Sequence, residues 1–164
     1  MSASDRMVGI GEYALAGGTE RLVIYGLGSC AALILFDPKA CRAGLAHVLL
    51  PGSAPEAQRS ADLPAKYAGD ALDLLMDGLG RPENPKAAIV GGAHLFQAEG
   101  PPERRVGIRN VESLREGLQR LGIPLAWQDT GGDAGRTVSV ELPSCLISVR
   151  TLREGWKVSF KLGR

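Results

Sequence analysis

Short apolar runs, punctuated by glycine, proline and aspartate, set the rhythm of the chain. "RLVIYG" (21–26) has the length and composition of a strand. The turn "GLGSC" (26–30) follows, and then "AALILF" (31–36), an uninterrupted apolar run of the kind found in strands covered on both faces. Asp37-Pro38 breaks it. "AGLAHVLLP" (43–51) is a further apolar strand that carries His47 and stops at Pro51. A polar, proline-containing loop fills 52–63, and a helix is expected to start near Pro64. Ala68, Leu72, Leu75, Met76 and Leu79 fall on one face of it, before Gly80 and Pro82 end it. "KAAIVGGAHLF" (86–96) reads as strand, tight glycine turn and further strand. Asn110 has the side chain of an N-cap, with Val111, Leu114, Leu118 and Leu121 as the buried stripe of a second helix. Strands then return: 123–130, the turn "GGDAG", "RTVSVEL" with Val138, Val140 and Leu142 on one face, "SCLISVRTL", and a last segment alternating through Trp156, Val158, Phe160 and Leu162. Two helices against a majority of strands predict an α+β domain with mixed sheets.

Composition narrows the class of function. At 164 residues the chain is expected to be one domain, 1–164, with residues 1–6 flexible. Hydrophobic residues make up 45% and charged residues 23%, so a packed core needs no disulfide or metal. A net charge of +1 gives no electrostatic footprint for nucleic acid or an anionic membrane. The longest apolar run is far too short to span a bilayer, and "MSASDRMVGIGEY" lacks the pattern of a secretory signal. No nucleic-acid partner and no membrane insertion are expected, and the cytoplasm is the expected compartment. The three cysteines (Cys30, Cys41, Cys145) and two histidines (His47, His94) form no C-x-x-C or H-x-x-x-H pair, so no metal and no other cofactor is expected.

Each cysteine is therefore packing or chemistry. Cys30 and His47 flank a predicted hairpin centred near residue 39, which sets them opposite or diagonal to each other. A thiol of ordinary pKa is mostly protonated at neutral pH, and a neighbouring imidazole can take its proton to give a nucleophile. Gly26 and Gly28 allow turns with positive φ that aim the N–H groups of Ser29 and Cys30 at a developing oxyanion. The plainer alternative keeps Cys30 as a small hydrophobe and His47 as a satisfied core histidine. Cys41 reads as surface or packing, Cys145 as core, and His94 as a turn-stabilising residue. Gly91, Gly92 and Ala93 form a turn that is either a strand connection or, with Gly28, a loop meeting the substrate. Spacing alone leaves both readings open.

Longer blocks decide between them. "VGIGEYAL", "GLGSCAALILFD", "GLAHVLLP", "AKYAGDAL", "VGGAHLF", "GIRNVESLREGLQRLGIPLAWQDTGGDAGRTV" and "LISVR" follow one another from Val8 to Arg150. In that order they resemble the CheD family of chemoreceptor glutamine deamidases, with "VGIGEYAL" matching the family's opening strand. The resemblance implies a layered α/β/β/α sandwich similar to cysteine-dependent toxin deamidases. It also implies Cys30 as nucleophile, His47 as general base, and hydrolysis of receptor glutamine to glutamate through a glutamyl thioester. Glutamyl methyl-esterase activity would be a side reaction. The implied partners are methyl-accepting chemotaxis receptors, through their cytoplasmic helical bundle, and the CheC phosphatase. One position departs from the pattern: Ile24 stands where many members carry the threonine of a Cys-His-Thr triad. Three substitutes for that orienting group are a backbone carbonyl, Thr130 or Thr137. The alternative implied by this departure is a weakly active or inactive module that binds receptors and CheC.

Overall fold

The computed structural model describes residues 5–59, 61–95 and 100–163. The segment from Asp5 to Ala16 is two strands: β1 (Asp5–Met7) and β2 (Tyr13–Ala16), separated by a loop. The expected single opening strand is thus broken, because "GIGE" turns the chain from one sheet into another. Asp5 and Arg6, expected to be flexible, lie in β1, where Asp5 pairs with Arg21 and Arg6 with Glu20. β3 (Arg21–Leu27), β4 (Ala31–Asp37) and β5 (Arg42–Val48) follow. After α1 (Ala68–Gly78) come β6 (Lys86–Gly91), α2 (Val106–Arg120), β7 (Leu125–Thr130), β8 (Arg136–Glu141), β9 (Leu146–Thr151) and β10 (Gly155–Lys161).

The strands make two five-stranded mixed sheets, ordered β1-β3-β8-β9-β10 and β2-β5-β4-β6-β7. This is the expected α+β class, with two mixed sheets and two main helices in one domain. The sheets face each other across a core built from Leu22, Ile24, Val138, Val140 and Ile147 on one side and Ala32, Ile34, Phe36 and Leu45 on the other. Both helices cover the outer face of the second sheet, where Leu33, Leu35 and Ile89 meet Leu72, Leu75, Leu114 and Leu118. The layers therefore run helix, sheet, sheet among the described residues. The fourth, helical layer implied by resemblance is absent there, and the outer face of the first sheet carries exposed Tyr25 and Trp156 instead.

Every residue of β4 is buried. It lies between β5 and β6, and its alternating side chains feed the two cores in turn, which is why it reads as an unbroken apolar run.

Three boundaries differ from expectation. α1 begins after Tyr67 rather than near Pro64, because residues 65–67 are tied into a turn and a bridge to other segments: Ala65 N–H donates to Gly11 O, and Leu49 and Leu50 N–H both donate to Lys66 O. α2 begins four residues before Asn110, which is inside the helix rather than capping it, while Leu121 lies past its end and is 46% exposed. No strand follows Gly91 through Leu95, and the rest of that expected strand, from Phe96, lies outside the described residues. In β10 Trp156 and Phe160 are exposed, Leu162 is buried, and the side chain of Val158 lies outside those described.

Candidate active site

β4 and β5 form an antiparallel hairpin in which Ala32 lies opposite His47. Cys30, two residues before Ala32, projects to the same inter-sheet face as Ala32, Ile34 and Leu45. His47 shares the face of its alternate neighbours Ala43 and Leu45. The thiol and the imidazole are therefore diagonal neighbours on one sheet face, a relation that places Cα atoms about 7–8 Å apart. No hydrogen bond joins them. Catalytic contacts of this kind often tighten only when substrate is bound.

Nδ1 of His47 lies 3.3 Å from the carbonyl oxygen of Val8. A carbonyl can only accept, so in the neutral ring Nδ1 carries the hydrogen and Nε2 keeps its lone pair. Nε2 is buried without a partner. Burial holds the His47 pKa below the ordinary imidazole value, against smaller opposing effects of the Val8 carbonyl and the Glu12 carboxylate. Burial also raises the pKa of the Cys30 thiol. Burial thus disfavours the charged form of each partner, and the imidazole's unpartnered nitrogen is able to accept a proton.

Val8 is itself locked. Its N–H donates to Val23 O in the first sheet, while its carbonyl faces His47 in the second. On the other side, Gly11 N–H donates to His47 O and His47 N–H to Glu12 O. Of the other orienting groups considered, Thr130 ends β7, three strands from β5 and on the order of 14 Å away at ordinary strand spacing. Thr137 alternates with the core residues Val138 and Val140 and so faces away from the site. Ile24 is fully buried between the sheets.

The glycines around Cys30 act in different ways. Gly26 has a φ of +69°, at a bulge between β3 and β8. Gly28 keeps a negative φ, contrary to expectation, and a Cβ there would meet only the movable tip of exposed Leu95, 2.8 Å away. Gly91 (φ +108°) leaves no room, since its Cβ would lie 2.5 Å from Cys30 O. Gly92 N–H donates to Cys30 O and Ala93 N–H to Gly28 O, so the 91–93 turn clasps the cysteine loop. The N–H groups of Ser29 and Cys30 donate to no carbonyl among the described residues.

Elsewhere, Cys41 donates its thiol to Pro143 O, and Cys145 is fully buried with its pKa pushed up to about 12, mainly by burial. His94 N–H donates to Gly132 O. Among the described residues no cluster of three or more His, Cys, Asp or Glu could hold a metal ion, and no helix is long and apolar enough to cross a membrane.

A backbone carbonyl was one of the three substitutes expected for the threonine, but nothing in the sequence marked Val8 as its source, and the reading of Asn110 as an N-cap did not make it a neighbour of the site. The Val8 carbonyl gives no side-chain signal at all. Asn110 did give one: it lies three and four residues from Gly107 and Leu114, on the buried stripe of α2.

The family model described as CheD chemotactic sensory transduction matches residues 49–151. Relatives matched over more of the chain include the probable chemoreceptor glutamine deamidase CheD 2 of Geobacter metallireducens, 41% identical over 156 residues (90% of this chain, 93% of the relative). The chemoreceptor glutamine deamidase CheD of Bacillus subtilis is 36% identical over 156 residues, covering 92% and 93%. That of Thermotoga maritima is 36% identical over 160 residues, covering 95% and 98%. These longer matches run across both Cys30 and His47, which precede the segment matched by the family model. On both counts, the family match over most of the chain and the similarity to full-length relatives, the chain belongs to the CheD family.

Proposed function

We propose that this chain is a protein-glutamine glutaminase that deamidates chemotaxis receptors, using Cys30 as nucleophile and His47 as general base. The names of its relatives supply the substrate class. What supports the residue assignment is a single arrangement: a thiol and an imidazole on one sheet face, with the imidazole's acceptor nitrogen left free by the Val8 carbonyl.

The steps follow from that arrangement. As Cys30 Sγ attacks the glutamine side-chain carbonyl carbon, its proton passes to His47 Nε2. The carbonyl oxygen becomes an oxyanion held by the backbone N–H groups of Ser29 and Cys30. The His47 imidazolium returns its proton to the amide nitrogen, the C–N bond breaks, and ammonia leaves. A glutamyl thioester remains on Cys30. His47 then takes a proton from water as the hydroxyl adds to the thioester, and returns it to the departing sulfur. A glutamyl methyl ester entering the same path would release methanol. Gly28 and the 91–93 turn, next to Cys30, form one wall along which the substrate segment approaches. The receptors' cytoplasmic helical bundle is the substrate, and the reaction belongs in the cytoplasm.

Mass spectrometry of receptor fragments tests this, with ammonia release measured in parallel. Wild type should add about one mass unit at one or more glutamines, the amide-to-acid change of acyl transfer to water, and Cys30→Ala should add none. Equal gains with both proteins would remove Cys30 as nucleophile. Receptor or CheC binding by a wild type that releases no ammonia would make the chain a binding module.

A further inference from the structure

Asn110 is fully buried in the second turn of α2, among the apolar side chains that dock the helix. Its Nδ2 donates to two carbonyls, Ser29 O at 3.0 Å and Leu49 O at 3.1 Å. Its Oδ1 is buried with no partner. Turning the amide over would set that oxygen against two carbonyl oxygens, so the donors are fixed toward the loop. An apolar residue would dock the helix without leaving an oxygen unsatisfied. The side chain is therefore spent on its two donors, and both recipients flank the site. Ser29 immediately precedes Cys30, and Leu49 lies two residues past His47.

The Ser29 carbonyl and the Cys30 N–H belong to the same planar trans peptide, so they point in opposite directions. With the carbonyl drawn to Asn110 on α2, the Cys30 N–H must point away from the helix layer. Cys30 packs its thiol between the sheets, also away from that layer. The next carbonyl, Cys30 O, is fixed separately by Gly92 N–H at 2.9 Å. We propose that Asn110 is a positioning residue: by holding the Ser29 carbonyl it aims the Cys30 N–H at the oxyanion, and by holding Leu49 it ties the cysteine loop to the end of the histidine strand. This rests on the reading of Cys30 as nucleophile.

The test compares Asn110→Asp, which keeps the shape but offers at most one donor, and only when protonated, with Asn110→Leu, which fills the space with neither charge nor donor. Ser113→Ala is the control. Its hydroxyl, on the same helix, accepts from Gly52 N–H, a residue outside both site strands. Losing an aimed oxyanion donor should cut kcat for deamidation about 100-fold with KM nearly unchanged. Alkylation of Cys30 by iodoacetamide, which forms no oxyanion, should stay within about threefold of wild type when followed peptide by peptide. Ser113→Ala should deamidate like wild type. Wild-type kcat in either Asn110 variant overturns the proposal. So does a kcat loss matched by an equal loss of alkylation, or shared by Ser113→Ala, since either would make Asn110 a helix-docking residue. Collapse of both Asn110 variants, judged by circular dichroism, would assign the side chain to the core and overturn it as well. An inactive wild type would instead bring down the deamidase reading itself, and this role with it.

Discussion

Replacing Gly91 by alanine puts the close packing behind Cys30 under direct strain. Gly91 has a φ of +108°, beyond the left-handed region that other residues occasionally visit. Holding an L-residue there costs about 1–3 kcal/mol. The added methyl would also lie 2.5 Å from Cys30 O and 3.4 Å from Ala31 Cα, and backbone atoms cannot rotate aside. Overpacking of this kind adds about 1–3 kcal/mol. The sum is about 4 kcal/mol, which for a chain of this size lowers Tm by about 8–16 °C. Gly26→Ala is the matched comparison. Its φ of +69° is also positive, but nothing lies within 4 Å of its Cβ, so only strain of about 1–2 kcal/mol applies. Urea unfolding of the two variants isolates the contact contribution as their difference. Gly91→Ala should also lose most of its deamidase activity, because relief of the clash pushes the Cys30 carbonyl off Gly92 N–H. Equal destabilisation by the two substitutions would refute the reasoning, since the clash with the cysteine loop would then contribute nothing.

Two further outcomes concern the thiol–imidazole pair. The pH profile of kcat/KM should have a broad top, its acid limb below the ordinary imidazole pKa because burial depresses His47, and its alkaline limb above the ordinary thiol pKa because burial raises Cys30. Stability follows the same signs. The His47 contribution is present above the unfolded imidazole value and is lost as pH falls through the depressed folded one. The thiol contributions of Cys30 and Cys145 are complete below about pH 8.5 and are lost as pH rises toward their folded values, about 12 for Cys145. Urea midpoints across pH check this, and an alkaline limb unchanged by Cys145→Ala would contradict it. Ile24→Thr, which restores the hydroxyl common in the family, should change kcat by less than about threefold, because the Val8 carbonyl already fixes the imidazole, while burying an unpaired hydroxyl costs about 1–3 kcal/mol. A large rise in kcat would show that the carbonyl does not orient His47.

How far the sequence could be read depended on whether information lay in side chains or in backbone. The unbroken apolar run of β4 announced a strand covered on both faces, and the hairpin with β5 followed from the break at Asp37-Pro38. Its register sets the imidazole opposite Ala32 and so diagonal to the cysteine, one of the two relations the hairpin allowed. The layer order was not legible, because an apolar stripe on a helix does not say which sheet it covers. The start of α1 was hidden for a related reason: Pro64 favours a first turn, but the backbone amides of Leu49 and Leu50 take up the Lys66 carbonyl and keep it out of the helix. Asn110 was misread because a good capping side chain and a buried donor look alike until the preceding turn, Val106 to Arg109, is known to be helical. The Val8 carbonyl had no signature, since any residue would present the same oxygen.

The loop at Val8 to Glu12 stitches the two sheets together, and it also carries the imidazole's only orienting acceptor among the described residues. On the proposed mechanism the amino end of the chain thus belongs to the catalytic apparatus, even though none of its side chains reacts. Fusing bulky cargo tightly against Met7, which would pull this loop away, would leave the ring without its anchor beside an intact sulfur. Loss of turnover in such fusions would report an unfastened hem, with nothing missing from the chemistry itself.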